Sequence, residues 1–238
     1  AFRSRHHVRL LRPAFRRFAL AGERDAAIEM LGKAQEDAQQ MDNMQPGWNL
    51  LQSIGQALFE LGEREQAQAM LFAAVEALNN YGQTFRYTPT PWSTIVVDFE
   101  KVGLREMALK IAHGLLEHDT FDGCTALLNL ARHAWETGER ERALSFVNAA
   151  LENVEAISFP PMQTGMRASI ASEYARMGQF DRALGDALVT PYSQDEIFVK
   201  VAEEMAKQDQ IEAAQELLSR VSPGSQLRSA PEAIVRAY

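Results

Sequence analysis

The 238-residue sequence predicts an all-α chain of about six antiparallel helical hairpins followed by one further helix at the C-terminus. Three observations carry this. A short unit running from a glycine to an alanine five residues later recurs along the chain. Apolar residues around each unit return at helical spacings of three, four and seven. No period-two alternation lasts long enough for a strand.

The unit appears as Gly22 to Ala27, Gly62 to Ala67, Gly103 to Ala108, Gly138 to Ala143 and Gly178 to Ala183, with a weaker sixth copy from Gln208 to Ala213. The copies are separated by 40, 41, 35, 40 and 30 residues. The glycine is read as the residue that ends a first helix, because a left-handed C′ position is easiest without a Cβ. A Glu or Gln follows it in most copies, where the start of a second helix favours negative charge. The alanine five residues on marks the place where two helices joined by a tight turn approach most closely. Nine residues after the glycine an apolar residue returns: Leu31, Leu71, Ala112, Val147, Ala187 and Leu217.

Upstream of the glycine the pattern is also shared. Four residues before it stand Phe18, Leu58, Phe99, Ala134 and Tyr174, and eight before it Ala14, Ile54, Ile95, Leu130 and Ile170. The sixth copy breaks both rules, with Glu204 and Lys200. First helices are expected over 7–20, 47–61, 91–102, 123–137, 162–177 and 193–207. Second helices are expected over 23–41, 63–79, 104–118, 139–155, 179–188 and 209–221, and the terminal helix over 227–237. The longest stretch read as loop, Asn80–Thr90, carries Tyr81, Phe85, Arg86 and Tyr87. The whole chain, 1–238, reads as a single repeat domain.

Composition narrows the function. The content is 46% hydrophobic and 24% charged, too apolar for a disordered chain, and no apolar run approaches the roughly 20 residues of a spanning helix. A single cysteine, Cys124, excludes an internal disulfide. The net charge of −8 is unevenly placed. Residues 1–22 hold six arginines and no acid, so a +6 end precedes a −14 body. An Arg-rich start has the composition of a transit segment, but Ala14, Phe15 and Phe18 fit the repeat, which places this stretch in the fold. The acidic body argues against nucleic acid as the ligand. The alanine start and the stop within a helix-like run suit a piece of a longer protein, and the cytoplasm is the expected compartment.

No catalytic constellation stands out. There is no phosphate-cradling glycine loop, nucleophile elbow or zinc-protease helix. His113 and His118, with Asp119 and Asp122, read as polar residues closing a helix rather than as a metal site. Cys124 follows Gly123 at a helix start, but His133 is nine residues on, too far along the helix to pair with it. Neither an enzymatic activity, a metal nor a cofactor is expected.

The aliphatic–small pairs before the turn (Ile54–Gly55, Leu130–Ala131, Ile170–Ala171), the bulky residue, the turn glycine and the later alanine resemble the tetratricopeptide repeat over about residues 8–221. The period departs from that family's usual length. The proline that often closes its second helix is missing, while Pro46, Pro91, Pro161, Pro191 and Pro231 stand instead at the starts of first helices. The resemblance implies a right-handed α-solenoid with a C-terminal capping helix, whose first helices line a concave ligand face. At thirteen, ten, six and three residues before the glycine, it implies partner contacts from Arg9, Arg12 and Arg16, from Asn49, Gln52, Gln56 and Phe59, from Ser93, Val97 and Glu100, and from Thr125, Leu128, Arg132 and Trp135. Arg9, Arg12 and Arg16 lie on one helix side, and with the Asn/Gln set they suit an acidic protein or peptide ligand. The leading expectation is a non-catalytic interaction scaffold. Self-assembly into homo-oligomers, a regulatory domain of a larger protein, and nucleic-acid binding through the Arg-rich start are the alternatives.

Overall fold

A computed structural model describes residues 24–39, 47–82, 92–185, 190 and 193–222. Among these residues every regular element is helical: α1 (Arg24–Gln39), α2 (Gly47–Glu60), α3 (Arg64–Gly82), α4 (Trp92–Lys101), α5 (Arg105–His118), α6 (Thr120–Glu136), α7 (Arg140–Asn153), a 3₁₀ turn (Val154–Ala156), α8 (Pro160–Arg176), α9 (Phe180–Ala183), α10 (Gln194–Lys207) and α11 (Ile211–Ser219). The expected helices 7–20 and 227–237, the arginines Arg9, Arg12 and Arg16, and most of the Asn80–Thr90 stretch lie outside the described residues.

The turn is the device that repeats. Gly62, Gly103, Gly138 and Gly178 have φ of 84°, 84°, 86° and 72°. Each closes its first helix with the same two backbone bonds, as at Gly62, where Gly62 N donates to Phe59 O at 2.9 Å and Glu63 N to Leu58 O at 2.9 Å. The alanines five residues on, Ala67, Ala108, Ala143 and Ala183, have no exposed surface. Four and eight residues before the turn, Leu58, Phe99, Ala134 and Tyr174, and Ile54, Ile95, Leu130 and Ile170, fill the core.

The sixth copy is corrected by one residue. Its left-handed residue is Asp209, with φ 62°, and the closing bonds run from Asp209 N to Ala206 O and from Gln210 N to Met205 O. Counted from Asp209, the alanine is the buried Ala214 and not the exposed Ala213, the bulky residue is Met205, and the aliphatic–small pair is Val201–Ala202, all buried. Glu204 and Lys200 break the pattern only when Gln208 is aligned with the glycine. Aspartate tolerates the left-handed region better than most residues but less well than glycine. Asp209→Gly is therefore expected to stabilise the chain by about 0.5 kcal/mol, read as a higher urea midpoint at unchanged slope.

Helix ends differ from expectation where local chemistry dictates. The α6 helix begins at Thr120, three residues early, because the Asp119 carboxylate accepts from Asp122 N at 3.1 Å and caps it. The α8 helix begins at Pro160, since a first turn needs no proline N–H. The α9 helix ends at Ala183, short of the expected 188, and α3 runs on to Gly82, into the stretch read as loop.

The chain divides into two units, one up to Ala108 and one from Leu109. In the first, α1 packs on α2, α2 on α3, and α3 on α4. In the second, α6 and α7 form a hairpin, α8 lies against both of them, α10 lies against α8 and α9, and α11 pairs with α10. Within the second unit, α8 thus covers the α6–α7 hairpin and α10 the α8–α9 hairpin.

Candidate partner-binding surface

The polar residues on the first helices are placed by contacts between successive repeats. In the first unit, Gln52 and Gln56 of α2 both donate through Nε2 to Oδ2 of Asp98 on α4, at 2.6 and 2.8 Å. Asp98 is buried. In the second unit Arg132 of α6 donates to the buried carboxylate of Glu173 on α8. The two arrangements share one register. Gln56 and Arg132 stand six residues before their turn glycine, and Asp98 and Glu173 stand five before theirs. Glu204 occupies the matching place before Asp209, is also buried, and is held by Lys207 Nζ at 2.7 Å. A buried carboxylate needs such donors, because an unpaired one loses its hydration without compensation.

A second contact repeats ten residues after the glycine. Phe72 meets Phe99 edge-to-face with centroids 5.3 Å apart. Asn148, its counterpart, accepts from Tyr174 Oη at 2.6 Å. Phe99 and Tyr174 are the bulky residues four before the next turn.

These contacts settle what the sequence-selected residues touch. Gln52, Gln56 and Arg132 turn toward carboxylates of the following first helix, a use the spacing alone did not indicate. Leu128 and Glu100 are buried, and Glu100 pairs with Arg105 Nε at 3.1 Å. Asn49 is exposed on the first turn of α2, and Phe59 is exposed near that helix's end. Trp135 is half-buried. The Arg140 guanidinium lies 3.6 Å over its ring and donates from Nη1 to its carbonyl at 3.1 Å.

Around Trp135 the structure adds residues that were not singled out. Arg176 on α8 reaches back to Glu136 on α6, Nη1 to Oε1 at 3.9 Å. Its Nη2 lies 2.7 Å from Glu173 Oε2, near enough for an ion pair but off the line of a hydrogen bond. Arg140, at the start of α7, thus stacks on Trp135, while Arg132 on α6 and Arg176 on α8 meet at Glu173. The recurrent Gly-Glu-Arg of the turn was the available signal for Arg140. The acids at the fifth place before the turn were the signal for Glu173 and Asp98.

Elsewhere the chemistry is quiet. Cys124 is fully buried, its Sγ lies 3.6 Å from Ala150 O, and burial pushes its thiol up to about 11. At neutral pH the thiol holds its proton and is a poor nucleophile. Asp122, partly buried at the start of α6 and close to the Asp119 carboxylate, is pushed up to about 6, burial being the larger cause. A raised value means that the folded chain holds this proton more tightly than the unfolded one. The contribution is complete below about pH 4 and is lost as the pH rises through 6. Asp122→Asn is expected to add about 1 kcal/mol at pH 7.5, after allowance for solvent screening, and to flatten stability between pH 4 and 7 in urea titrations.

Among the described residues no group of three or more His, Cys, Asp and Glu side chains could hold a metal ion. No described helix is long and apolar enough to cross a membrane. A scan against protein-family models and a search of curated proteins return no match to this chain.

Proposed function

We propose that the chain is a non-catalytic, tetratricopeptide-like interaction module, a right-handed α-solenoid that takes an acidic segment of a partner protein on its first-helix face. The observation that carries this is the Trp135–Arg140 stack, together with Arg132 and Arg176, which Glu173 holds on the first helices α6 and α8. It combines a half-exposed aromatic anchor with guanidinium groups, the residue types that dominate interface energetics and that bind carboxylates bidentately. Glu173 orients two of the three arginines. Arg9, Arg12 and Arg16 offer the same chemistry at the other end of the sequence, and the cytoplasm is the compartment that suits such a module.

The test is fluorescence anisotropy with a labelled library of Asp/Glu-rich peptides, comparing wild type with Trp135→Ala/Arg140→Ala and with Arg9→Glu/Arg12→Glu/Arg16→Glu. All three must share one helical circular dichroism spectrum. Loss of about tenfold or more in affinity in the first variant supports the Trp135 surface. Loss only in the arginine variant moves the site to the first repeat. Absence of binding by the wild type, or binding unchanged in both variants, overturns the proposal.

A further inference from the structure

Large apolar side chains stand exposed at four places among the described residues: Phe59, Phe72, Phe159 and Met162. Phe59 and Phe72 lie on separate helices, and Phe72 has a partner in Phe99. Phe159 and Met162 are instead three residues apart, 58% and 39% exposed, in a run from Ser158 to Met162 in which every residue is exposed. Phe159 stands at the N-cap of α8, and Pro160 and Pro161 are the helix's first two residues. The proline rings fix the backbone here, so the two apolar side chains are displayed with little chain entropy left to lose on binding. Methionine, being flexible, adapts to the shape it meets.

The charge around this run has one sign. Cys124 Sγ lies 3.6 Å from Ala150 O, so the start of α6 runs beside the end of α7. The 3₁₀ turn that leads to Phe159 packs against α6, α7 and α8. The stretches that run into this end, 111–131 and 143–166, hold five acids and no lysine or arginine. Asp119 at the start of α6 and Glu152 at the end of α7 are exposed. Glu155, in the 3₁₀ turn, is exposed too, and accepts from Gln163 Nε2 of α8 at 3.1 Å. The next arginine along α8, Arg167, is buried and donates to Glu155. A helix start ordinarily favours anions through its free N–H groups, but the first two residues of α8 are prolines, which have none.

We propose that the start of α8 is a second docking surface, which takes a partner segment carrying large apolar residues among lysines or arginines. Phe159 and Met162 receive the apolar residues, and Asp119, Glu152 and Glu155 attract the cations. The opposite charges orient the encounter, while the apolar centre, desolvated on binding, supplies most of the affinity. A second copy docked here about a two-fold axis would bring the same acids face to face, and an anionic lipid surface would be repelled. The surface stands apart from the one at Trp135, which is built on arginines and lies at the other end of α6, on the order of 20 Å away.

Fluorescence anisotropy tests it with a labelled peptide in which a leucine and a phenylalanine, three residues apart, are flanked by lysines. A second peptide carries serine at both apolar places. The chains compared are wild type, Phe159→Ser/Met162→Ser, Asp119→Asn/Glu152→Gln and Glu141→Gln/Glu212→Gln. The last removes as much charge from exposed acids in the first turns of α7 and α11. Asparagine keeps the cap of α6, and equal circular dichroism spectra establish that the variants are folded. The expected result is saturable wild-type binding of the apolar peptide that weakens with salt. The serine peptide on wild type, and the apolar peptide on Phe159→Ser/Met162→Ser, are each expected to bind about tenfold or more weakly. Asp119→Asn/Glu152→Gln is expected to bind about threefold or more weakly with a flatter salt dependence, and Glu141→Gln/Glu212→Gln to bind as the wild type does. No binding by the wild type overturns the proposal. Equal binding of the serine peptide, or equal loss in both neutralised chains, overturns it as well, by showing only a general attraction between a basic peptide and an acidic chain. Self-association of the wild type without peptide, seen by sedimentation velocity and abolished by Phe159→Ser/Met162→Ser, would give the surface to a second copy and overturn it too.

Discussion

Gly123→Ala is expected to destabilise the chain by about 2 kcal/mol, seen as a fall in melting temperature of about 4–8 °C. A Cβ at this position would lie 2.6 Å from the backbone nitrogen of Leu116 and 2.8 Å from its Cα. Both are backbone atoms of α5, so no side-chain rotation relieves the overlap and α5 and α6 must move apart. The gain in helix propensity from alanine, about 1 kcal/mol, offsets only part of this. Gly114 and Gly165 provide the internal comparison. They also sit within helices, but a Cβ at either would meet nothing within 4 Å. Gly114→Ala and Gly165→Ala are expected to stabilise by about 0.5–1 kcal/mol. Thermal unfolding followed by circular dichroism separates the two signs. A neutral Gly123→Ala would mean that α5 and α6 are not held as closely as described.

The double replacement Arg132→Ala/Arg176→Ala is expected to cost about 3–5 kcal/mol, more than the sum of the two single replacements. Glu173 keeps only 6% of its side-chain surface exposed and draws one cation to each oxygen. Removing either arginine leaves the other to neutralise it. Removing both leaves a carboxylate without its cations in a place water barely reaches. A double-mutant cycle in urea measures the excess. Strict additivity would show that the pairs act as surface contacts whose strength water has already screened.

Much of the helical architecture was legible because the turn imposes hard local requirements. A left-handed residue favours glycine, and the close approach after it demands alanine. Those two constraints repeat at recognisable spacings and mark the turns at Gly62, Gly103, Gly138 and Gly178. They failed at Asp209, where a side chain that tolerates the left-handed region replaces the glycine and leaves the neighbouring Gln208 as good a match. The polar surface was less legible. Gln52, Gln56 and Arg132 occupy places that face a ligand in the family this chain resembles. Whether they face a ligand or the next helix depends on the residue opposite, forty or so positions away. In the structure Asp98 and Glu173 accept from these three side chains, and only a register common to successive repeats connects the acids to their donors. Arg176 was hidden in part for the same reason: its spacing of three from Glu173 shows that pair, but nothing within its own helix shows that it reaches Glu136.

The packing of the second unit also bears on how quickly the chain can find its structure. The α7 helix completes its hairpin with α6, α8 settles on the pair just before it, α10 settles on α8 and α9, and α11 closes on α10. The loops that must close to form these contacts are therefore short, and the loss of chain entropy at each closure is small. Low contact order of this kind favours folding in microseconds to milliseconds, without a search for distant partners. On the ribosome, where synthesis proceeds at about 5–20 residues per second, each hairpin can bury its apolar side against its predecessor soon after it emerges, long before the last helix has been made.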